Sequence, residues 1–363
     1  MNLKSLFLGS AAALAATTGA QAADPVVVIE PVQNNYVEVC DAFGAGYFYI
    51  PGTETCLDIG GYIRFEVQGS NGGNSYDTWN AFTRAQLDIS SKTDSELGTV
   101  TGLISLRSEA NSNGSGNKTY INEAYVGLGG FQAGRFFSYW DEGLIGEIDD
   151  LAGNTRFNSM RYVFAGDGFV AGLSLDALEP EQVELGRDSE GDYKQIAKLG
   201  ISGRVGFQAG GVGAKLDAAY DTYNEEASFR LMTSLALGPG QLDLGANYST
   251  GWNAYANTFE DNEFYDYTGP TAVSLPGVYA EWALAAGYQL DVTEKFSITP
   301  AYQWTSANVP GQDNEDFWSA GVLFDYTIVD GLSAKLNVGY TDLPDAYSDD
   351  DLWAGWFRLQ RDF

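Results

Sequence analysis

From residue 59 onward, apolar and polar residues alternate with a period of two. That is the periodicity of a strand with one greasy and one wet face. In segment 61–68, Ile63, Phe65 and Val67 alternate with Arg64, Glu66 and Gln68; in 83–89, Ala85, Leu87 and Ile89 alternate with Arg84, Gln86 and Asp88. Segment 214–221 sets Leu216, Ala218 and Tyr220 against Lys215, Asp217 and Asp221, and 241–248 sets Leu242, Leu244, Ala246 and Tyr248 against Gln241, Asp243 and Asn247. Segments 295–304, 318–326 and 335–340 repeat the pattern. The apolar face often ends in Tyr or Trp, and the opposite face is charged rather than merely small. A soluble sandwich also alternates, but it gives Tyr and Trp no reason to mark strand ends. A bilayer boundary does.

Such segments begin near residues 59, 80, 98, 119, 130, 156, 168, 195, 212, 226, 240, 276, 293, 315, 331 and 351. They make about sixteen strands, an even number as bacterial barrels require. Alternate connections are short, at 91–97, 129–130, 210–211, 238–240, 291–293 and 330–331, and fit periplasmic turns. The others, such as 69–79, 179–192, 251–274, 306–313 and 342–350, are long and polar and fit extracellular loops. Pro300 falls inside a strand and removes a ladder donor, so a bulge is expected there. The final strand places Trp353, Phe357, Leu359 and the terminal Phe363 on one face, interrupted by Arg361. An aromatic carboxy-terminus on such a strand resembles an outer-membrane assembly signal.

The N-terminus reads differently. Lys4, the apolar stretch 6–16 and the small-x-small site Ala20-Gln21-Ala22 form a secretory signal peptide over residues 1–22. The mature chain then divides into an N-terminal periplasmic segment, 23–58, and a transmembrane β-barrel, 59–363. After residue 24 no apolar run reaches the roughly 18 residues that a membrane helix needs. Only a closed barrel can therefore satisfy the backbone in lipid.

Composition narrows the function. The chain has 49 Asp+Glu against 19 Lys+Arg, a formal charge of −30, which argues against nucleic acid as a partner. It has no histidine. That removes Ser-His nucleophiles, His acid–base work and His-ligated metals together. Neither catalytic residues nor a metal or cofactor are expected.

Three stretches carry a resemblance to a known family: 40–57 (Cys-Asp-Ala-Phe-Gly-Ala-Gly-Tyr-Phe-Tyr-Ile-Pro-Gly-Thr-Glu-Thr-Cys-Leu) followed by Gly61-Tyr62-Ile63-Arg64, then Leu144-Ile145-Gly146-Glu147-Ile148-Asp149-Asp150, then Asn158-Ser159-Met160-Arg161-Tyr162. With these the sequence resembles the porins of alphaproteobacteria, the group of rhizobia and brucellae, over its whole length. The resemblance implies a sixteen-stranded, homotrimeric general-diffusion porin with a third loop folded into the pore. It implies contact with outer-membrane lipid and lipopolysaccharide, and traffic of small hydrophilic solutes and ions. Export to an oxidising space favours a Cys40–Cys56 disulfide over a free pair or a metal site. Such a bond closes a loop of about 16 residues, worth roughly 3 kcal/mol in the loop-entropy picture. It is expected to pin the N-terminal segment, with 47–50 as a candidate closing strand near the last strand, and to have no transport role.

A sixteen-stranded barrel leaves a wide lumen, so something must narrow it. The resemblance places the stretch 137–155, with Asp141, Glu142, Glu147, Asp149 and Asp150, inside the pore. Facing it would be a basic wall of Arg64, Arg84, Arg107, Arg135, Arg156 and Arg161, six of the chain's 11 arginines. Charged rings at a narrowing tune ion selectivity, and Arg keeps its charge in a crowded cluster. The net acidity suggests mild cation preference. The alternative, a substrate-specific channel, would need an aromatic slide or a lysine-rich narrowing, and lysine is scarce.

Overall fold

The computed structural model describes residues 38–71, 78–111, 117–147, 156–178, 198–255, 279–308, 314–342 and 352–363. The signal peptide lies outside the described residues. A short strand β1 (Phe48–Tyr49) precedes sixteen long ones. These are β2 (Cys56–Ser70), β3 (Thr78–Thr93), β4 (Val100–Asn111), β5 (Lys118–Leu128), β6 (Phe131–Phe137), β7 (Arg156–Gly166), β8 (Phe169–Leu178) and β9 (Lys198–Ala209). They continue as β10 (Val212–Asp221), β11 (Glu226–Leu237), β12 (Gly240–Ser249), β13 (Tyr279–Thr293), β14 (Phe296–Asn308), β15 (Glu315–Val329), β16 (Leu332–Asp342) and β17 (Leu352–Asp362). Each pairs antiparallel with the next, and β17 returns to pair with β2, Phe357 opposite Val67 and Arg358 opposite Glu66. The sheet is a closed barrel without an edge.

The two faces are inverted relative to a soluble protein. On β2, Phe65 is 44% exposed while its neighbour Glu66 is 3% exposed; on β10, Leu216 is 46% exposed and Asp217 is fully buried. Much of the buried set is polar: Ser105, Asn122, Asp176, Arg230, Asn247 and Gln303, among others. The large apolar side chains point outward, which is favourable only against a non-aqueous medium. Outward rings touch in a row near the long-loop end: Tyr302–Trp318 at 5.8 Å, Trp318–Tyr340 at 5.2 Å and Tyr340–Trp353 at 4.9 Å. They form an arc of an interfacial girdle.

Short connections occupy one end, at 94–99, 129–130, 167–168, 210–211, 238–239, 294–295 and 330–331. The pair Gly210–Gly211, with φ of 57° and 80°, shows why. A two-residue turn that matches the strand twist needs positive φ at both positions, and glycine adopts it without strain. Strand ends deviate slightly from expectation. β3 runs on to Thr93 and β13 to Thr293, so those turns sit later than 91–97 and 291–293.

Three expectations are corrected. The first barrel strand starts at Cys56, not 59. The segment 47–50 is not the closing strand: Phe48 and Tyr49 pair with Leu57 and Cys56 of β2, below the point where β17 closes the barrel. Pro300 makes no bulge. It pairs in register with Val322, and toward β13 the ladder is interrupted opposite Tyr288 and Gln289 and resumes without offset, so the missing N–H costs two rungs rather than a shift. The expected disulfide is present, joining Cys40 to Cys56.

Candidate functional site

After β6 the chain turns inward. Ser138 caps a 3-10 turn (Tyr139–Asp141) by accepting from the Trp140 amide. The following residues then track the inner wall, strand by strand. Tyr139 stacks under Arg161 of β7, 4.1 Å from ring centre to guanidinium, and its carbonyl accepts from Arg204 of β9 at 2.8 Å and from Arg230 of β11. The Trp140 carbonyl accepts from Arg230 at 3.0 Å. Glu142 pairs with Arg204 and with Lys215 of β10. The Ile145 amide donates to Asp243 of β12 at 3.3 Å. Glu147 lies 3.8 Å from Arg358 of β17. A nine-residue segment, Tyr139 to Glu147, thus touches strands around more than half of the circumference, all at inward-facing positions.

Glycines on the wall make room for this path. A Cβ on Gly172 of β8 would collide with the Tyr139 hydroxyl, and one on Gly287 of β13 would lie 2.5 Å from the Ile145 carbonyl oxygen. Side-chain bulk at either place would push the segment off the wall.

The arc β7–β12 is a closed charge network. Asp217 sits directly across from Arg204 on one side and Arg230 on the other. It accepts from Arg204 through both oxygens, at 2.6 and 2.9 Å, and from Arg230 at 3.0 Å. Burial would raise Glu142, but Lys215 and Arg204 outweigh it and hold the carboxyl below its ordinary value. A second anchor lies beside it. The buried Asp176 accepts from Ser159 and Ser174 at 2.6 Å, from Ser202 at 2.7 Å and from the Tyr255 hydroxyl at 2.7 Å. Tyr255 follows β12 in the sixth long loop. It is fully buried against Trp140 and Phe157, and Gly200 of β9 leaves the space for its hydroxyl. Burial first, then the Asp176 carboxylate, raise its phenol pKa.

The arc β17–β2–β3–β4 is different. Arg64 and Arg84 face each other directly across β2 and β3, a like-charge pairing that costs stability in a sheet. Arg84 is shared with Glu109 at 2.7 Å, and Arg64 donates to Gln360 at 2.8 Å. Arg107 donates to Gln86 at 2.8 and 3.0 Å, and Arg358 binds Glu66 at 2.6 Å. Glu147 reaches this arc from the loop. Burial raises its pKa against the pull of Arg358, Lys335 and Arg64.

Of the six expected wall arginines, Arg64, Arg84 and Arg107 share the inner face of this arc. Arg161 instead supports the start of the loop, donating to the Phe137 carbonyl at 3.0 Å. Arg156 stacks over Phe137 and donates to Asn122. Arg135 lies on β6 between Gly134 and Phe136, opposite Ala124 and Asn158, in the register alternate to the buried Phe136. In the seven-residue β6, Phe occurs on both faces, and the alternation cannot assign a side. Asp141 lies in the 3-10 turn; Asp149 and Asp150 lie outside the described residues. Sequence reasoning missed Arg204, Lys215, Arg230 and Arg358, which hold the loop. Their polar-face positions were visible, but their partners depend on the path of a loop with no period.

Residues 24–358 match the sequence profile of the porin subfamily. The chain is 39% identical to the putative outer membrane protein y4fJ of Sinorhizobium fredii, over 100% of this chain and 99% of the relative. It is 34% identical to the porin Omp2b of Brucella neotomae, with both chains covered in full. Among solved structures, it is similar to the outer membrane channel DcaP of Acinetobacter baumannii, with a TM-score of 0.64 and 15% identity over 87% of this chain and 99% of that one. At that identity the likeness speaks for the fold.

Proposed function

Because the chain belongs to the porin subfamily, we propose that it is a general-diffusion channel, a passive water-filled path for small hydrophilic solutes and ions across the bacterial outer membrane. One observation carries the reading: a closed sixteen-stranded barrel has charged residues inside, apolar residues outside, and a polypeptide segment laid along the inner wall. Sixteen strands leave an aqueous lumen, and the segment from Tyr139 to Glu147 narrows it from one side. The remaining passage lies between that segment and the row Arg64, Arg84, Arg107 and Arg358. Acid on one side and guanidinium on the other set up a transverse field. A dipolar solute gains in that field what it loses in hydration, whereas an apolar one does not. Family members are channels, and we propose no catalytic role.

The proposal extends to a homotrimer in contact with phospholipid and lipopolysaccharide. Family kinship supports it. A single large species on an unboiled gel, dissociating on heating, is the expected result. The channel itself is tested in planar bilayers. Ohmic single-channel steps, with solute flux linear in concentration, are expected. Saturable flux of one solute would favour a substrate-specific channel instead.

A further inference from the structure

One arm of the hairpin that precedes the barrel, β1, pairs along β2, and residues 40–47 fold over the inner side of the wall. On β2 and β3, Cys56, Asp58, Ser90 and Lys92 share the inward register, since Ile59 and Leu87 in the alternate register are exposed outward. The contacts of the hairpin fall on these four residues. Cys40 is bonded to Cys56. The Tyr47 and Ser90 hydroxyls are hydrogen-bonded at 3.0 Å. The Lys92 ammonium stands 4.9 Å from the ring centre of Tyr47 and 5.9 Å from that of Phe43. A Cβ on Gly46 would stand 2.9 Å from an Asp58 carboxylate oxygen. The hairpin is closed by the Val39–Phe48 bridge and by the Cys40 amide donating to the Tyr47 carbonyl at 2.9 Å. Phe43 and Tyr47 meet edge to face at 6.1 Å. This end of β3 adjoins the short turn 94–99, and short turns mark the periplasmic side of an outer-membrane barrel.

We propose that residues 40–47 form a shelf that narrows the pore at its periplasmic mouth, a second filter in series with the third-loop segment. The inference rests on the channel reading above. The disulfide keeps the shelf over the lumen by tying its base to an inward residue of the wall. The shelf presents two aromatic rings over Lys92 of β3 and carries a single charged side chain, Asp41, so it acts on size more than on charge. Resistances in series add. The shelf should therefore set part of the conductance and of the size cut-off while leaving the reversal potential to the loop.

Two variants of the full-length channel, with opposite expected signs, test this in planar bilayers and in liposome swelling with sugars of graded size. Ala45→Trp enlarges the exposed tip and should lower single-channel conductance by roughly a quarter to a half, with the larger sugars slowed most. Phe43→Ala with Tyr47→Ala removes the rings and should raise conductance roughly 1.2- to 2-fold. Neither should move the reversal potential in a salt gradient. If Ala45→Trp conducts like the parent protein, the hairpin lies outside the solute path and the shelf is refuted, even where the double variant fails to assemble. A parent protein that inserts without conducting would instead overturn the diffusion reading.

Discussion

Two arcs of one wall use the same side chains in opposite ways. On β7–β12, Arg230 and Asp217 are buried, Arg204 joins them in a neutralised cluster, and both arginines are bonded to the backbone of the loop. On β17–β4, Arg64 and Arg84 are set face to face, and carboxylates are shared among a row of guanidinium groups. Burying charge is costly unless geometry and hydrogen bonds are complete. The first arc meets that condition and is an anchor. The second leaves an imbalance of charge over the passage. Removing a charge from the anchor should therefore cost stability, and removing one from the open arc should change what passes without a loss of stability.

The sharpest break of that contrast is Asp217→Asn. It leaves the fully buried Arg230 without its ion-pair partner, a loss of about 3–5 kcal/mol for a broken buried pair. The folded barrel should convert to its heat-denatured form at a markedly lower temperature on a gel, and single-channel currents should become noisy as the loop leaves the wall. Unchanged heat stability would show that Arg204 and Glu142 hold the loop without it. Tyr255→Phe is milder. It deletes one of four donors to the buried Asp176, worth about 1–3 kcal/mol. Flicker of the open-state current should rise while mean selectivity stays put; a quiet channel would mean that the segment is held without the Tyr255–Asp176 bond.

Most of the barrel is legible in the sequence, for a physical reason. A period of two is imposed by two solvents at once, lipid outside and water inside, and it survives in every long strand. The starts of β5, β10, β11 and β15 fall within a residue of where the alternation places them. The site was legible only in part. Arg64, Arg84 and Arg107 lie on long strands whose parity is clear, and they reach the lumen. Arg135 lies on a short strand with Phe131 outward and Phe136 inward, so parity carried no information. Tyr255 and the arginines that bind the loop were illegible for another reason: their partners lie tens of residues away, and the path that joins them is set by tertiary contacts and by glycines such as Gly172 and Gly287 that merely leave space.

The finest test keeps the fold and reads the charge. Glu142 and Glu147 sit on the same segment with opposite pKa displacements, one lowered by Lys215 and Arg204, the other raised by burial. A depressed carboxylate contributes stability that is present above its unfolded pKa and lost as pH falls through the folded value. A raised one contributes below its unfolded pKa and loses that contribution as pH rises through the folded value. On acidification Glu147 should therefore take its proton first, above the ordinary glutamate value of about 4.3, while Glu142 still holds the loop. The reversal potential in a salt gradient should shift toward anions in that window, with heat stability held or slightly raised. Glu147→Gln should give the shifted value at neutral pH and abolish its pH dependence there, and Arg64→Gln should move it the other way. A reversal potential indifferent to both substitutions would mean that ions pass somewhere other than between the segment and the β17–β4 arc.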